Sequence, residues 1–206
     1  PKTIEKCVTF LESNPDYVIA HGKAALFSLP TNEPYGLMNS VGQYSLPIHQ
    51  EETATERLTS FLGNYSVPLY CVMRSQIWRN IWKNMNTINH PSIAGEILPA
   101  SLSVTYGKIK EIDSLYILRH MHNKRTGLPS IYDWVTNPDW SEIFLQMRDT
   151  LVKRLIEQEN KSESEVQETV DNAIEIYLVS GFIRYGTSKN QLLKEKLIAN
   201  KLIKKN

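Results

Sequence analysis

His120 and His122 are the first residues whose type and spacing could do chemistry. They end an apolar stretch, Leu115 to His122, that we predict to be a β-strand, and alternate residues of a strand share a face. Imidazole nitrogens are common ligands of divalent metals, so this pair could supply one or two of them. The alternative is a polar decoration of a strand end, since no carboxylate stands beside the histidines in sequence.

Glu96, preceded by Gly95, is the second candidate. It lies near the start of an apolar helix predicted over residues 93–106, with Pro99 as a defect in its middle. One interpretation is a first-turn carboxylate stabilised by the helix dipole. The other is a general base that faces a cleft at a junction between a loop and a helix. Trp134, near the end of a predicted loop, could stack on the face of a sugar.

Composition and missing motifs narrow the function classes. The net charge is +1, which gives no general attraction to nucleic acid or to an anionic surface. The sequence lacks the glycine-rich dinucleotide and P-loop patterns and the Gly-x-Ser-x-Gly nucleophile motif. Cys7 and Cys71 match no metal spacing and are expected to be free thiols. With no signal segment and no long apolar run, we expect a cytoplasmic protein.

The elements that must position these residues follow a mixed α/β order to about residue 125 and are helical afterwards. A capping box at Thr53 and Glu56 opens a short helix, and a second one at Ser162 and Glu165 opens another. The remaining predictions are helices over 2–12, 74–85, from 139 onward and 191–204, strands over 17–29, 67–73 and 115–122, a bend near Asp113, and a long loop over 30–47.

The helical part is segregated by charge. Residues 139–180 hold ten acidic and four basic side chains, whereas residues 189–206 hold six lysines and one glutamate. The basic tail is interpreted as a solvated helix face, as a docking segment for the acidic helices, or as a peripheral contact with the inner face of the membrane.

Several short motifs in a fixed order resemble a known family. They are residues 1–7 (PKTIEKC), 10–18 (FLESNPDYV), His21-Gly22, 70–74 (YCVMR), 95–98 (GEIL), Gly107-Lys108 and 115–119 (LYILR). This order resembles the family 2-like, GT-A fold glycosyltransferases, particularly a bacterial subgroup associated with surface glycans. The resemblance covers roughly residues 1–125. It implies an α/β fold, namely the C-terminal part of a GT-A, Rossmann-like nucleotide-diphospho-sugar transferase domain, followed by a helical extension over 126–206.

The resemblance also implies an activity. Such enzymes transfer a sugar from a nucleotide-sugar donor to a glycan or a lipid-linked acceptor in polysaccharide biosynthesis, with Mn²⁺ or Mg²⁺ and, in one class, with inversion. Their Asp-x-Asp motif, which binds the metal and the sugar diphosphate, is absent from this sequence. We therefore expect that motif to lie upstream of Pro1, and we expect the chain as it stands to be inactive alone.

Roles for individual residues follow from the same resemblance. Glu96 matches the catalytic base that deprotonates the acceptor hydroxyl. His122, with His120 as the second choice, matches a late histidine that completes the metal shell. Arg119 or Lys124 would contact the diphosphate, and the loop over 30–47 would cover the acceptor side.

Two other functions stay open. The chain could be a non-catalytic fragment or adaptor whose helices bind a partner, which the missing Asp-x-Asp favours. It could also be a metal-dependent hydrolase that uses His120 and His122, with Asp113 and Asp133 as the carboxylate ligands. We expect no nucleic-acid partner under any of these interpretations.

Overall fold

The computed structural model describes the backbone of residues 2–30, 36–83, 85–122 and 131–199, and the side chains of these residues apart from 86, 132 and 184–199. The fold is mixed α/β, as the sequence predicts. Its helices are α1 (Lys2–Ser13), α2 (Ala54–Gly63), α3 (Ser75–Trp82), α4 (Leu98–Tyr106), α5 (Ile131–Val135), α6 (Trp140–Ile156) and α7 (Glu163–Ala199), and its strands are β1 (Tyr17–Ser28), β2 (Ser40–Tyr44), β3 (Val72–Met73) and β4 (Lys108–Met121). Short turns of 3₁₀-helix at Pro68–Tyr70 and Met85–Thr87 and a π-helical turn at Ile93–Ile97 complete them.

The sheet is built around β1. Strand β4 pairs with it in parallel along its whole length, while β3 pairs antiparallel with its first half and β2 antiparallel with its second half. The register slips between the Gly22–Ile112 pair and the Lys23–Leu115 pair, so β4 carries extra residues there. The bend predicted near Asp113 is therefore a bulge within one continuous strand, not a boundary between two strands.

Helix α1 packs directly on this bulge. The Thr3 hydroxyl donates to the Leu115 carbonyl oxygen at 2.6 Å and lies 2.8 Å from the Ser114 hydroxyl. A Cβ atom on Gly22 would lie 2.2 Å from the Ser114 carbonyl oxygen and 2.8 Å from the Thr3 methyl group. Only glycine therefore allows helix and sheet to approach this closely.

One large apolar core joins the sheet to the helices. It contains residues of β1, α2, α4, α6 and α7, while a smaller cluster of Cys7, Leu11 and Ala20 lies under α1. The larger core draws on both sides of residue 125, so α6 and the first half of α7 are packed onto the α/β part. Among the described helices, none combines the length and the apolar character that crossing a bilayer requires.

Other predicted elements also differ from the structure. Part of the predicted 30–47 loop forms β2, because pairing with β1 satisfies its backbone. The strand predicted over 67–73 shortens to β3, since Pro68 has no N–H for a ladder and instead begins a 3₁₀ turn. The separate helix predicted from Gln191 is the continuation of α7, whose isolated glycines do not break it.

Candidate functional site

Glu96 lies in the π-helical turn that precedes α4. The Leu98 N–H donates to the Ile93 carbonyl, five residues earlier, rather than to the usual fourth residue. Pro99 explains the wide turn, because its ring lacks an N–H and would collide with the carbonyl of Gly95 in a regular α-helix. The wide turn presents Glu96 half-buried at a bend, and such turns frequently occur at functional sites.

Tyr65, just beyond the end of α2, orients this carboxylate. Its hydroxyl donates to Glu96 Oε1 at 3.0 Å. The phenol ring is held edge-on between Phe61 and Tyr177, with ring centroids 5.2 Å apart in each case. Burial raises the pKa of Tyr65 far above its ordinary value, and the neighbouring Glu96 raises it further. The phenol therefore stays protonated and acts as a permanent hydrogen-bond donor to the carboxylate.

A cleft of about 570 Å³ opens beside Tyr65. It includes His49, whose pKa is lowered by burial, so this imidazole is neutral at pH 7. Glu111 of β4 contributes a carboxylate to the lining of this cleft, whereas Glu96 lies behind Tyr65 and is connected to the cleft through the Tyr65 hydroxyl. The other residues that line it are Gln43, Tyr44, Ser45, Leu46, Pro47, Ile48, Asn64, Ser66 and Val67. The cleft is thus polar and within the size range of small-molecule sites.

Arg119 lies between two tyrosine rings. Its Nη1 donates to the Tyr44 hydroxyl at 2.6 Å, and its guanidinium carbon lies 5.1 Å from the centre of that ring and 5.5 Å from the centre of the Tyr70 ring. The Tyr116 hydroxyl in turn donates to the Tyr70 carbonyl at 2.8 Å. A cavity of about 480 Å³ adjoins this group and is lined by Tyr44, Tyr70, Ile117, Leu118, Arg119 and His120. We call it the Arg119 pocket.

His120 and His122 lie side by side, with ring centres 5.5 Å apart, as their spacing on a strand predicts. His120 also stacks on Phe27 at 5.0 Å. In the described ranges no group of three His, Cys, Asp or Glu residues could hold a metal ion. His120 and His122 therefore do not by themselves form a site that fits Mn²⁺ or Mg²⁺. The metal role of the two histidines stays a prediction.

Asp113 cannot complete such a site. It precedes His120 by seven positions on β4, roughly 23 Å along the strand, and pairs with Lys23. Asp133 lies on α5 and belongs to no metal-binding group in the described part of the chain. The expectation that Asp113 joins the histidines in a hydrolase site is therefore wrong.

The expectation that Trp134 stacks on a sugar is also wrong. Only 4% of Trp134 is exposed, and its ring lies over Tyr177 with ring centres 6.3 Å apart. His90 contacts the indole edge-on at 5.7 Å. The residue is part of the core because α5 packs on α7. Lys124 falls outside the described residues.

The structure therefore brings together residues that the sequence leaves apart. Tyr44 lines both the cleft beside Tyr65 and the Arg119 pocket, so the two cavities are neighbours. Sequence reasoning assigned no role to Tyr44, Tyr65 or Tyr70. Tyr70 belongs to one of the short motifs of the resemblance, over residues 70–74, whereas no motif includes Tyr44 or Tyr65. Comparisons of the chain with protein-family models, with curated proteins and with solved structures give no match.

Proposed function

We propose that this chain is the acceptor-side part of a glycosyltransferase and that Glu96 is its catalytic base. The observation that carries the proposal is the carboxylate of Glu96, half-buried in a π-helical turn and held by a neutral phenol that also lines a cleft. The order of short motifs that resembles GT-A glycosyltransferases supports the same assignment. The GT-A fold itself belongs to the proposal.

The proposed transfer reaction needs one proton acceptor, and Glu96 supplies it. With Oε1 engaged by Tyr65, Oε2 of Glu96 is the atom that would accept the proton of an acceptor hydroxyl. The deprotonated oxygen attacks the anomeric carbon of the donor sugar, forming the new glycosidic bond. The bond from that carbon to the diphosphate breaks, and the nucleoside diphosphate leaves with its electron pair. One displacement of this kind inverts the anomeric centre.

The same proposal names the partners. The donor is a nucleotide sugar, and the acceptor is a glycan or a lipid-linked sugar, which places the reaction in the cytoplasm or at the inner face of the membrane. A divalent metal, when bound, would neutralise charge on the leaving diphosphate. The ligands of that metal would include residues other than those that the structure describes.

The test is Glu96→Gln in the full-length protein from its natural source, with transfer measured by release of the nucleoside diphosphate. We expect a loss of transfer of at least about a hundredfold, since general bases typically contribute that much. Donor binding, measured by calorimetry, stays within about twofold. Glu111→Gln is the matched control, because Glu111 is a carboxylate of the cleft lining but the Tyr65 hydroxyl donates to Glu96 instead, so this variant is expected to keep most of the activity. Loss of donor binding together with transfer would argue against the base role.

A partner-binding adaptor is the second candidate, and one surface favours it. Ile176, Val179 and Ile183 lie on one side of α7 and are 43%, 48% and 62% exposed. An apolar row of this kind can dock on another protein. If the full-length protein neither binds a nucleotide sugar nor transfers one, this function replaces the first.

A further inference from the structure

We propose that the Arg119 pocket binds an oxyanion, meaning a phosphate or a carboxylate group, carried by a sugar substrate. The assignment to a sugar substrate rests on the proposed function. The binding of the anion does not, because it follows from the charge, donors and shape of the pocket alone.

Arg119 differs from Arg57 and Arg74 in what its side-chain donors do. Arg57 is buried and gives its N–H groups to four backbone carbonyls, and Arg74 gives its own to three. Among the residues that the structure describes, the Arg119 side chain makes a single hydrogen bond, to Tyr44, and takes part in no ion pair. A guanidinium carries five N–H donors, so most of those on Arg119 remain for a ligand.

The fold holds this guanidinium in place before any ligand arrives. Leu26 of β1 pairs with Arg119 on one side and with Gly42 on the other, so β4 and β2 are two strand spacings apart, or about 10 Å. The Arg119 side chain crosses β1 to reach Tyr44. The rings of Tyr44 and Tyr70 attract the cation through their π-systems. The side chain is thereby ordered in advance, which lowers the cost of binding.

Within the part of the chain that the structure describes, no carboxylate lines the Arg119 pocket to compensate the positive charge of Arg119. Burial raises the pKa of Tyr44 above its ordinary value although Arg119 acts in the opposite direction, so this phenol is neutral at pH 7. Ile117, Leu118 and His120 form the rest of the lining. A pocket with one cation, an imidazole, aromatic rings and aliphatic walls suits a sugar ring that carries a negative group. An arginine fork binds phosphate or carboxylate with two parallel hydrogen bonds.

The test is calorimetric titration of the 206-residue chain with pyrophosphate, with glucuronate and with glucose as the neutral comparison. We expect one of the anions to bind and glucose not to bind. Binding of pyrophosphate identifies a phosphate-bearing substrate, and binding of glucuronate identifies an acidic sugar. Arg119→Gln should weaken the bound anion at least about tenfold, because the main charge and both fork donors are lost. Glu96→Gln should leave this binding unchanged, which separates failure here from failure of the proposed function.

Arg79→Gln is the matched control. Arg79 is an exposed arginine of α3 that also lacks an ion pair in the described ranges, but its hydrogen bonds go to Ser75 on its own helix. Its replacement should change anion binding less than about twofold. Arg119→Lys keeps the positive charge but lacks the two parallel N–H donors of a guanidinium, so it should weaken anion binding about threefold. This variant tests the proposal even if Arg119→Gln does not fold. The proposal is overturned if neither anion binds the wild-type chain, or if the variants at 79 and 119 weaken binding equally.

Discussion

Glu159, in the turn between α6 and α7, caps a helix that begins far away in sequence. Its Oε1 accepts the Thr55 N–H at 2.8 Å, and its Oε2 accepts the Thr55 hydroxyl at 2.9 Å. Lys161 pairs with the same carboxylate, whose side chain is only 11% exposed. Thr55 is in the first turn of α2, where backbone N–H groups have no partner within the helix. The turn after α6 therefore satisfies a first-turn N–H of α2 that the capping box of Thr53 and Glu56 leaves unpaired.

The replacement Glu159→Gln removes the charge but keeps one oxygen acceptor. A hydrogen bond to a charged group contributes about 1.5–3 kcal/mol, and a carboxylate at a helix N-terminus adds about 0.3–1 kcal/mol. We expect the free energy of unfolding to fall by about 2–3 kcal/mol. For a chain of this size that corresponds to a decrease in Tm of roughly 5–10 °C.

The loss should depend on pH in a defined direction. Burial raises the pKa of Glu159, but hydrogen bonds from Lys161 and Thr55 lower it by more, so the folded-state pKa lies below its ordinary value. A carboxylate of this kind stabilises the fold fully above the unfolded-state pKa, near 4.5. Its contribution declines as the pH falls through the folded-state value. The difference between wild type and Glu159→Gln is therefore largest near pH 7 and shrinks below about pH 4.5.

Urea unfolding followed by circular dichroism measures this difference. Glu157→Gln is the control, since Glu157 carries the same group two positions earlier but is 54% exposed and meets Arg154 only at 3.7 Å. We expect it to cost less than about 0.5 kcal/mol. Equal losses in the two variants, or a loss for Glu159→Gln that does not change with pH, would refute the argument. That result would mean that α2 does not depend on the α6–α7 turn.

Two further predictions concern close packing and a buried histidine. Gly22→Ala should destabilise the fold by about 1–3 kcal/mol or more, because the new Cβ would collide with the Ser114 carbonyl oxygen. Gly63→Ala is the control in the same urea experiment. Its new Cβ makes only ordinary contacts, and the replacement should stabilise α2 by about 0.5–1 kcal/mol. The pKa of His49 is lowered by burial, so the unfolded chain takes up the proton first and stability falls as the pH drops below about 6.5. His49→Gln should make the unfolding free energy less sensitive to pH between about 6.5 and 5, and an unchanged slope would contradict the assignment.

Local rules determined much of the secondary structure in advance. The capping boxes at Thr53 and Ser162 form with the hydrogen bonds that their patterns predict, and the helices begin where expected. The alternation of β4 places His120 and His122 together. These features depend on residues two to four positions apart, and such contacts can be read from the sequence because the backbone geometry alone sets them.

What the sequence by itself determined is thus the α/β class, the caps and the presence of Glu96 at the start of a helix with a proline defect. Only the tertiary structure decided what surrounds the candidate residues. Tyr65 meets Glu96 across 31 positions, Arg119 meets Tyr44 across 75, and Trp134 is buried against Tyr177. These contacts depend on how the sheet and helices pack around one core. The periodicity of the sequence predicts each helix and strand, but it does not predict which residues of distant elements become neighbours.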